Sequence, residues 1–419
     1  MRILLLTLLF PFIVMAQEVR NDLPLKNISW FEQARFGMFI HYGAYSVAGR
    51  SEWVIDREQI PYPEYIQKYA SQFKAEKYNP EEWVALAKKA GMKYMVLTAK
   101  HLDGYCLWET RTTSFNTVQI GPGRDLVRPF VEAVRKGGLK VGLYFCIPDL
   151  SRPEYYNREK DNFQSFNNFY RAQLRELLTG YGTIDILWLD AGNSLKFEGE
   201  QVYKLAKSLQ PSILINDRSG DKRFVDYQTC EFEIKPAPAG IAWEKCEKTN
   251  EHWGYHADDF EYKNPKQIIR TLVRVAASGG NLLLNVGPKA DGTFPPEYEP
   301  IFKDVGSWLS KNGEAIYGSE RSPFTWHVTS WKTVKTNRIY IHFFHSPGNE
   351  YVDANIANKI ISVYYLATGK PIKFRKEGQR LILSGLNFSE KNGIATTIVV
   401  EVEGEPKAAP LADLEGFTG

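Results

Sequence analysis

The stretch 184–193, IDILWLDAGN, reads as a buried β-strand that ends on a carboxylate, Asp190. Just upstream, FNNFYRAQLRELLTGYG at 166–182 spaces its apolar residues three and four apart and closes on glycine, the pattern of an amphipathic helix and its stop. A helix feeding a short apolar strand is half of a βαβ unit, and the alternation extends in both directions. Strand patterns recur as FGMFIHYG (36–43), YMVLTAKH (94–101), KVGLYFC (140–146), ILIND (213–217), VDYQTCE (225–231), GIAWE (240–244) and NLLLNVGP (281–288). Helix patterns such as PEEWVALAKKAG (80–91), DLVRPFVEAVRKGG (125–138) and PKQIIRTLVRVAASGG (265–280) lie between several of them. Such alternation implies a parallel sheet, and eight strands in roughly 250 residues is the size of a (β/α)8 barrel. A doubly wound open sheet would usually carry a glycine-rich phosphate turn, and neither GxGxxG nor GxxxxGK[ST] occurs. The sixth and seventh connections show little helix, so irregularity is expected there.

Beyond Gly318 the texture changes. RIYIHFF (338–344), IISVYYLA (360–367), RLILSGL (380–386) and TTIVVEVEG (396–404) are short, β-branched and separated by turn residues, which predicts an antiparallel β-sandwich after the barrel. The expected division is a barrel over 17–320, a sandwich over 321–405 and a tail over 406–419. The N-terminus, MRILLLTLLFPFIVMAQEV, has the layout of a secretory signal peptide cleaved near Ala16, so export to the periplasm or beyond is expected. Its apolar run is too short for a permanent span, and no integral membrane anchor is expected. With 52 basic and 49 acidic residues and no basic run, nothing points to a nucleic-acid partner. Cys106, Cys146, Cys230 and Cys246 lack the CxxC spacing of a metal site; Cys230 with Cys246 is the one pair to consider for a disulfide.

In a barrel the active site lies at the C-terminal ends of the strands. Read in order, those ends carry His41, then Lys100, His101 and Asp103, then Tyr144, Trp188 and Asp190, then Asn216, Asp217 and Arg218, and finally Glu231. Asp190 could cap the next helix, but Ala191, Gly192, Asn193 and Ser194 intervene before any helical pattern resumes near Glu200. Trp188, two residues earlier, shares its side of the strand. An aromatic face beside a carboxylate suits a sugar, and glycoside hydrolysis usually needs a second carboxyl group. Glu231 is the best candidate, with Glu244 and Glu247 as rivals for the same role; the bland reading of Glu231 is an edge-strand carboxylate paired with Arg223 or Lys235.

Together the motifs WFEQARFGMFIHYGAYS, SEWV, LTAKHLDGYCLWET, GPGRDLV, VGLYFC, ILWLDAG, INDR, DYQTCE, HWGY and GGNLLLNVGPKADGTFP, in this order from about Trp30 to Gly318, resemble glycoside hydrolase family 29, the α-L-fucosidases. The resemblance implies a retaining, exo-acting α-L-glycosidase with a barrel and a C-terminal sandwich, needing no metal or organic cofactor and acting on terminal α-L-fucosyl glycans. It implies Asp190 as nucleophile and Glu231 as proton donor; the adjacent positive charge of Arg218 would hold Asp190 ionised. His41, Glu52, Trp53, His101, Tyr144, Trp188 and Arg218 match residues that touch the sugar or support the nucleophile, and Trp253 matches an aromatic near the methyl group of fucose. One position departs: the family's usual K-H-H-D-G-F reads KHLDGY here, so that Leu102 replaces a histidine that would bond a sugar hydroxyl. An apolar residue there relaxes selectivity for that hydroxyl, and α-L-galactosides become the nearest alternative substrates.

Overall fold

A computed structural model describes residues 28–156, 163–192, 194–325, 329–388 and 393–410. The expected signal peptide, its cleavage point near Ala16, Asn193 and the last nine residues of the tail lie outside them. Eight strands form one parallel sheet: β1 (Phe36–Ile40), β2 (Tyr94–Lys100), β3 (Lys140–Cys146), β4 (Ile186–Asp190), β5 (Leu214–Ile215), β6 (Gln228–Cys230), β7 (Trp243–Lys248) and β8 (Asn281–Val286). Their order is β5-β4-β3-β2-β1-β8-β7-β6, and a single parallel bridge between Asn216 and Tyr227 joins the two ends. The sheet therefore closes as the expected barrel, with β5 and β6 meeting at a thin seam.

Alternation along each strand sorts side chains into two layers. Phe39, Tyr94, Val96, Tyr144, Ile186, Trp188, Cys246 and Leu283 fill the barrel interior. Met38, Ile40, Met95, Leu97, Leu143, Phe145, Leu187, Leu282 and Leu284 face the surrounding helices. The helix Pro80–Ala90 starts at an Asn79 cap and stops at Gly91, whose φ of 87° is left-handed; Pro265–Ala277 starts in a capping box between Asn264 and Gln267. A short helix, Ser29–Ala34, which the sequence reading did not foresee, closes the N-terminal end of the barrel. Its Phe31 packs on Tyr94 and Tyr227, with ring centroids 5.8 and 4.6 Å away.

The irregular connections differ in part from those expected. The sixth, β6 to β7, does lack a helix, but the seventh carries Pro265–Ala277 and it is the fifth, β5 to β6, that has none. The two strands flanking the fifth connection are the shortest of the sheet, β5 with two residues and β6 with three. Strand β7 is also displaced from GIAWE: it runs Trp243–Lys248, so Glu244 stands near its start and not at its end.

Seven antiparallel strands follow: β9 (Trp331–Lys335), β10 (Arg338–Phe343), β11 (Glu350–Asp353), β12 (Ile360–Tyr365), β13 (Lys373–Glu377), β14 (Arg380–Ser384) and β15 (Thr396–Val402). They form one sheet of order β12-β15-β10-β9 and another of order β11-β14-β13. Ile339, Ile341, Val400, Leu381 and Leu383 come from both sheets into one core, making the expected sandwich. It leans on the barrel through Trp308, whose indole N–H reaches the Ala395 carbonyl at 2.9 Å, and through Thr333, whose hydroxyl reaches the Ala315 carbonyl at 2.7 Å. The four cysteines are free thiols. Cys230 and Cys246 sit on adjacent strands, but Cys246 points into the barrel and Cys230 packs on its outer side, so no bridge can form between them.

Candidate active site

A cavity of about 560 Å³ opens at the C-terminal end of the barrel. Its wall contains all ten residues that the family resemblance marks as catalytic or sugar-contacting: His41, Glu52, Trp53, His101, Tyr144, Trp188, Asp190, Arg218, Glu231 and Trp253. Other members of the rim are structural. Lys100 and Asp149 form a wholly buried pair at 2.8 Å, Asp103 is buried against the Tyr65 hydroxyl, and Asn216 bonds both the amide and the carbonyl of Leu189.

Asp190 ends β4 and caps no helix among the described residues. Its Oδ2 accepts from the Tyr144 hydroxyl at 2.8 Å and its Oδ1 from Arg218 Nη1 at 3.0 Å. Ala191 follows with φ at 57°, a left-handed turn that swings the chain away at once and leaves the carboxylate facing the cavity. The other guanidinium nitrogen, Arg218 Nη2, donates to Glu231 Oε2 at 3.3 Å. One guanidinium thus joins the two carboxylates across the barrel seam. Arg218 stands over the Trp188 ring at 4.9 Å, and Tyr144 stacks on that ring at 5.5 Å and 22°. Burial works against the charge of Arg218, yet Cys246, Asp190 and Glu231 around it more than compensate and push its pKa above the ordinary arginine range.

The structure separates the three candidate partners of Asp190. Glu231 alone lines the cavity. Glu244 is fully buried in the barrel interior, its Oε1 accepting from Trp188 Nε1 at 2.8 Å and its Oε2 from the Tyr94 hydroxyl at 2.5 Å; burial raises its pKa to about 7. Glu247 pairs with Lys245 at 3.0 Å and Lys263 at 3.4 Å. The surface pairings considered for Glu231 are also absent, since Arg223 takes Asp221 and Lys235 takes Glu233.

Asp217 and Thr229 complete the arrangement. Asp217 Oδ1 accepts from the Thr229 amide at 2.9 Å and from its hydroxyl at 2.7 Å, and Thr229 Oγ1 in turn accepts from Arg218 Nε at 3.0 Å. Thr229 was not singled out from sequence; the signal available was its place two residues before Glu231 on the same strand.

The remaining wall is built for a neutral, hydroxylated ligand. Asn285 Nδ2 donates to the Trp253 carbonyl at 2.7 Å, so its Oδ1 faces His41 Nδ1, also at 2.7 Å; on this network Nδ1 carries the proton and Nε2 is an acceptor. Burial, reinforced by neighbouring His101, lowers the pKa of His41 to about 4, and burial does the same for His101. Both imidazoles are neutral near pH 7. Glu52 Oε2 accepts from Ser51 Oγ at 2.7 Å and from the Gly254 amide at 2.8 Å, tying the loop that carries Trp53 to the loop that carries Trp253. Gly287 allows this closure, because a Cβ there would come within 2.7 Å of the Tyr255 amide. Leu102 lies in the apolar cluster with Tyr144 and Trp188, against which Trp53 and Trp253 pack, and so backs the cavity wall without forming it. Among the described residues no group of three or more His, Cys, Asp or Glu is placed to hold a metal, and no helix is long and apolar enough to cross a membrane.

Comparison with known proteins follows the same lines. The family model described as alpha-L-fucosidase matches residues 17–314. Human tissue alpha-L-fucosidase is 32% identical over 395 residues, covering 82% of this chain and 84% of its own. Among solved structures, alpha-L-fucosidase isoenzyme 1 from Paenibacillus thiaminolyticus is 33% identical with a TM-score of 0.84, covering 90% of this chain and 99% of that one. A family 29 alpha-L-fucosidase from Bacteroides thetaiotaomicron, captured as a trapped covalent intermediate, is 26% identical with a TM-score of 0.83 over 90% of this chain and 96% of its own.

Proposed function

The chain belongs to the α-L-fucosidases, glycoside hydrolases of family 29, and from that membership we propose how its site releases a terminal L-fucosyl unit and where it does so. The observation that carries the reading is the single guanidinium of Arg218 between Asp190 and Glu231 on the wall of one cavity. Asp190, oriented by Tyr144 and Arg218, attacks the anomeric carbon through an oxocarbenium-like transition state. Glu231 in its protonated form gives its proton to the leaving oxygen. Water, activated by the Glu231 carboxylate, then cleaves the glycosyl ester, and two inversions give net retention. Retention needs the two carboxyl groups roughly 5 Å apart, and bonding to one guanidinium supports a short separation. His41 accepts a sugar hydroxyl, while Trp53, Trp188 and Trp253 supply apolar surface for the C–H faces and methyl group.

The test is Asp190→Ala on an aryl α-L-fucoside. Turnover falls to near background with the fold intact, and azide restores it with a β-fucosyl azide as product. Near-normal turnover without azide would remove Asp190 from this role.

Leu102 favours a second reading, in which α-L-galactosides are also substrates. A residue without hydrogen-bonding capacity behind the wall cannot penalise an added hydroxyl by leaving a polar partner unpaired. Aryl α-L-fucoside and aryl α-L-galactoside compared side by side decide it; a preference for fucoside beyond about a thousandfold would sink the second reading. The basic, apolar and small-residue layout of residues 1–16 supports export to the periplasm or the medium, and N-terminal sequencing of the secreted protein checks it.

A further inference from the structure

Among the described residues, every large apolar side chain that stands exposed on the barrel lies on a connection leaving the C-terminal end of a strand. They are Tyr156 after β3, Leu195 after β4, Phe232 after β6 and Phe260 after β7. Single exposed apolar residues are ordinary on any protein, and of these four only Phe232 adjoins a residue of the cavity wall. Phe232 is the extreme case at 86% exposed, and it is the residue next to Glu231.

Its backbone is held in place. The buried Lys245 ammonium donates to the carbonyl of Glu231 at 2.8 Å and to that of Phe232 at 3.2 Å, so one cation pins both residues. A phenyl ring whose backbone is pinned beside Glu231, itself on the cavity wall, loses little entropy on covering a ligand.

We propose that Phe232 is the stacking platform for the leaving sugar, the pyranose ring joined to the fucosyl unit through the glycosidic oxygen. This rests on the assignment of Glu231 as proton donor. That oxygen must come within hydrogen-bond reach of Glu231, so the first ring beyond it lies one residue from Phe232. A pyranose offers a face of C–H groups to an aromatic ring while its hydroxyls point sideways. Lys222 lines the same cavity from the β5 connection and makes no ion pair among the described residues, which leaves its ammonium available to one of those hydroxyls.

The experiment compares the wild type, Phe232→Ala and Phe232→Tyr. The probes are α-L-fucosyl fluoride, which has no leaving ring, an α-L-fucosyl-D-galactose disaccharide, its non-hydrolysable sulfur-linked analogue, and free L-fucose. In Phe232→Ala the inhibition constant of the sulfur-linked disaccharide rises about tenfold relative to that of L-fucose, the disaccharide-to-fluoride ratio of kcat/KM falls by a similar factor, and Phe232→Tyr restores both. The inhibition constant is decisive, because a displaced Glu231 would slow the disaccharide and spare the fluoride without weakening binding. An inhibition ratio indifferent to Phe232 overturns the platform. A wild type that cleaves neither fluoride nor disaccharide overturns the fucosidase reading beneath it instead.

Discussion

Trp188, whose ring carries Arg218 on its face, donates its indole N–H across 2.8 Å to Oε1 of Glu244, a carboxyl group with no access to solvent. The orientation of Arg218, and through it of the Asp190 and Glu231 carboxylates, is thereby anchored from inside the barrel. Replacing Glu244 with Gln keeps an acceptor for the indole and a partner for Tyr94, whereas Leu keeps only the volume. We expect Glu244→Leu to lower kcat on an aryl α-L-fucoside by about 10–100-fold and Glu244→Gln to retain most of it, with steady-state kinetics as the check. Equal loss in both variants would mean that charge, not the indole bond, is what Glu244 supplies.

The same residue gives stability a pH dependence. Burial raises the Glu244 carboxyl from an ordinary value near 4.5 to about 7 in the folded chain, so the folded state holds the extra proton between those limits. Wild-type stability must then fall, as far as this group is concerned, when pH rises through that window. Glu244→Gln lacks the term, and its melting temperature is expected to gain a few degrees on the wild type between pH 5 and pH 8. A constant difference across that range would show that Glu244 titrates elsewhere.

For Glu231, leaving-group dependence is the diagnostic. Glu231→Ala should slow poor leaving groups by about 10²–10⁴-fold while a dinitrophenyl fucoside, which needs no acid, still forms the glycosyl-enzyme. Azide should then give the α-fucosyl azide, the opposite anomer to that from Asp190→Ala. A uniform loss over all leaving groups would argue against a proton-donating role.

Arg218→Lys tests the shared guanidinium. An ammonium cannot serve Asp190, Glu231 and Thr229 from one plane, so kcat should drop by about 10²-fold with thermal stability little changed. Unaltered kcat would show that the charge alone suffices.

Much of the site is legible in sequence because barrel strands end where the chemistry begins. Asp190 and Arg218 stand at or just past the end of a strand, and the pattern of apolar run, polar residue and small residue marks each. Glu244 misleads for a physical reason. Its strand continues as Lys245, Cys246, Glu247 and Lys248, and the outward positions Lys245 and Glu247 pair as charges that disguise the strand. In the sandwich, β9, β11 and β13 escape notice likewise: WKTVK, EYVD and KFRKE are charge-rich, and β13 is exposed along its whole length. The choice of Glu231 depends on Arg218 and the cavity wall, a juxtaposition of two strands that no local pattern encodes.

The seam between β5 and β6 has a consequence for how such a site can diverge. Arg218 and Glu231 belong to strands joined by one bridge, not a full ladder, so their spacing is governed by side chains, with Asp217 holding Thr229 and Thr229 holding Arg218. Elsewhere in the barrel, moving a strand end by an ångström would disturb a whole row of backbone bonds. Here the gap between Asp190 and Glu231 can be retuned by one hydroxyl or one carboxylate, leaving the load of folding on the other seven junctions.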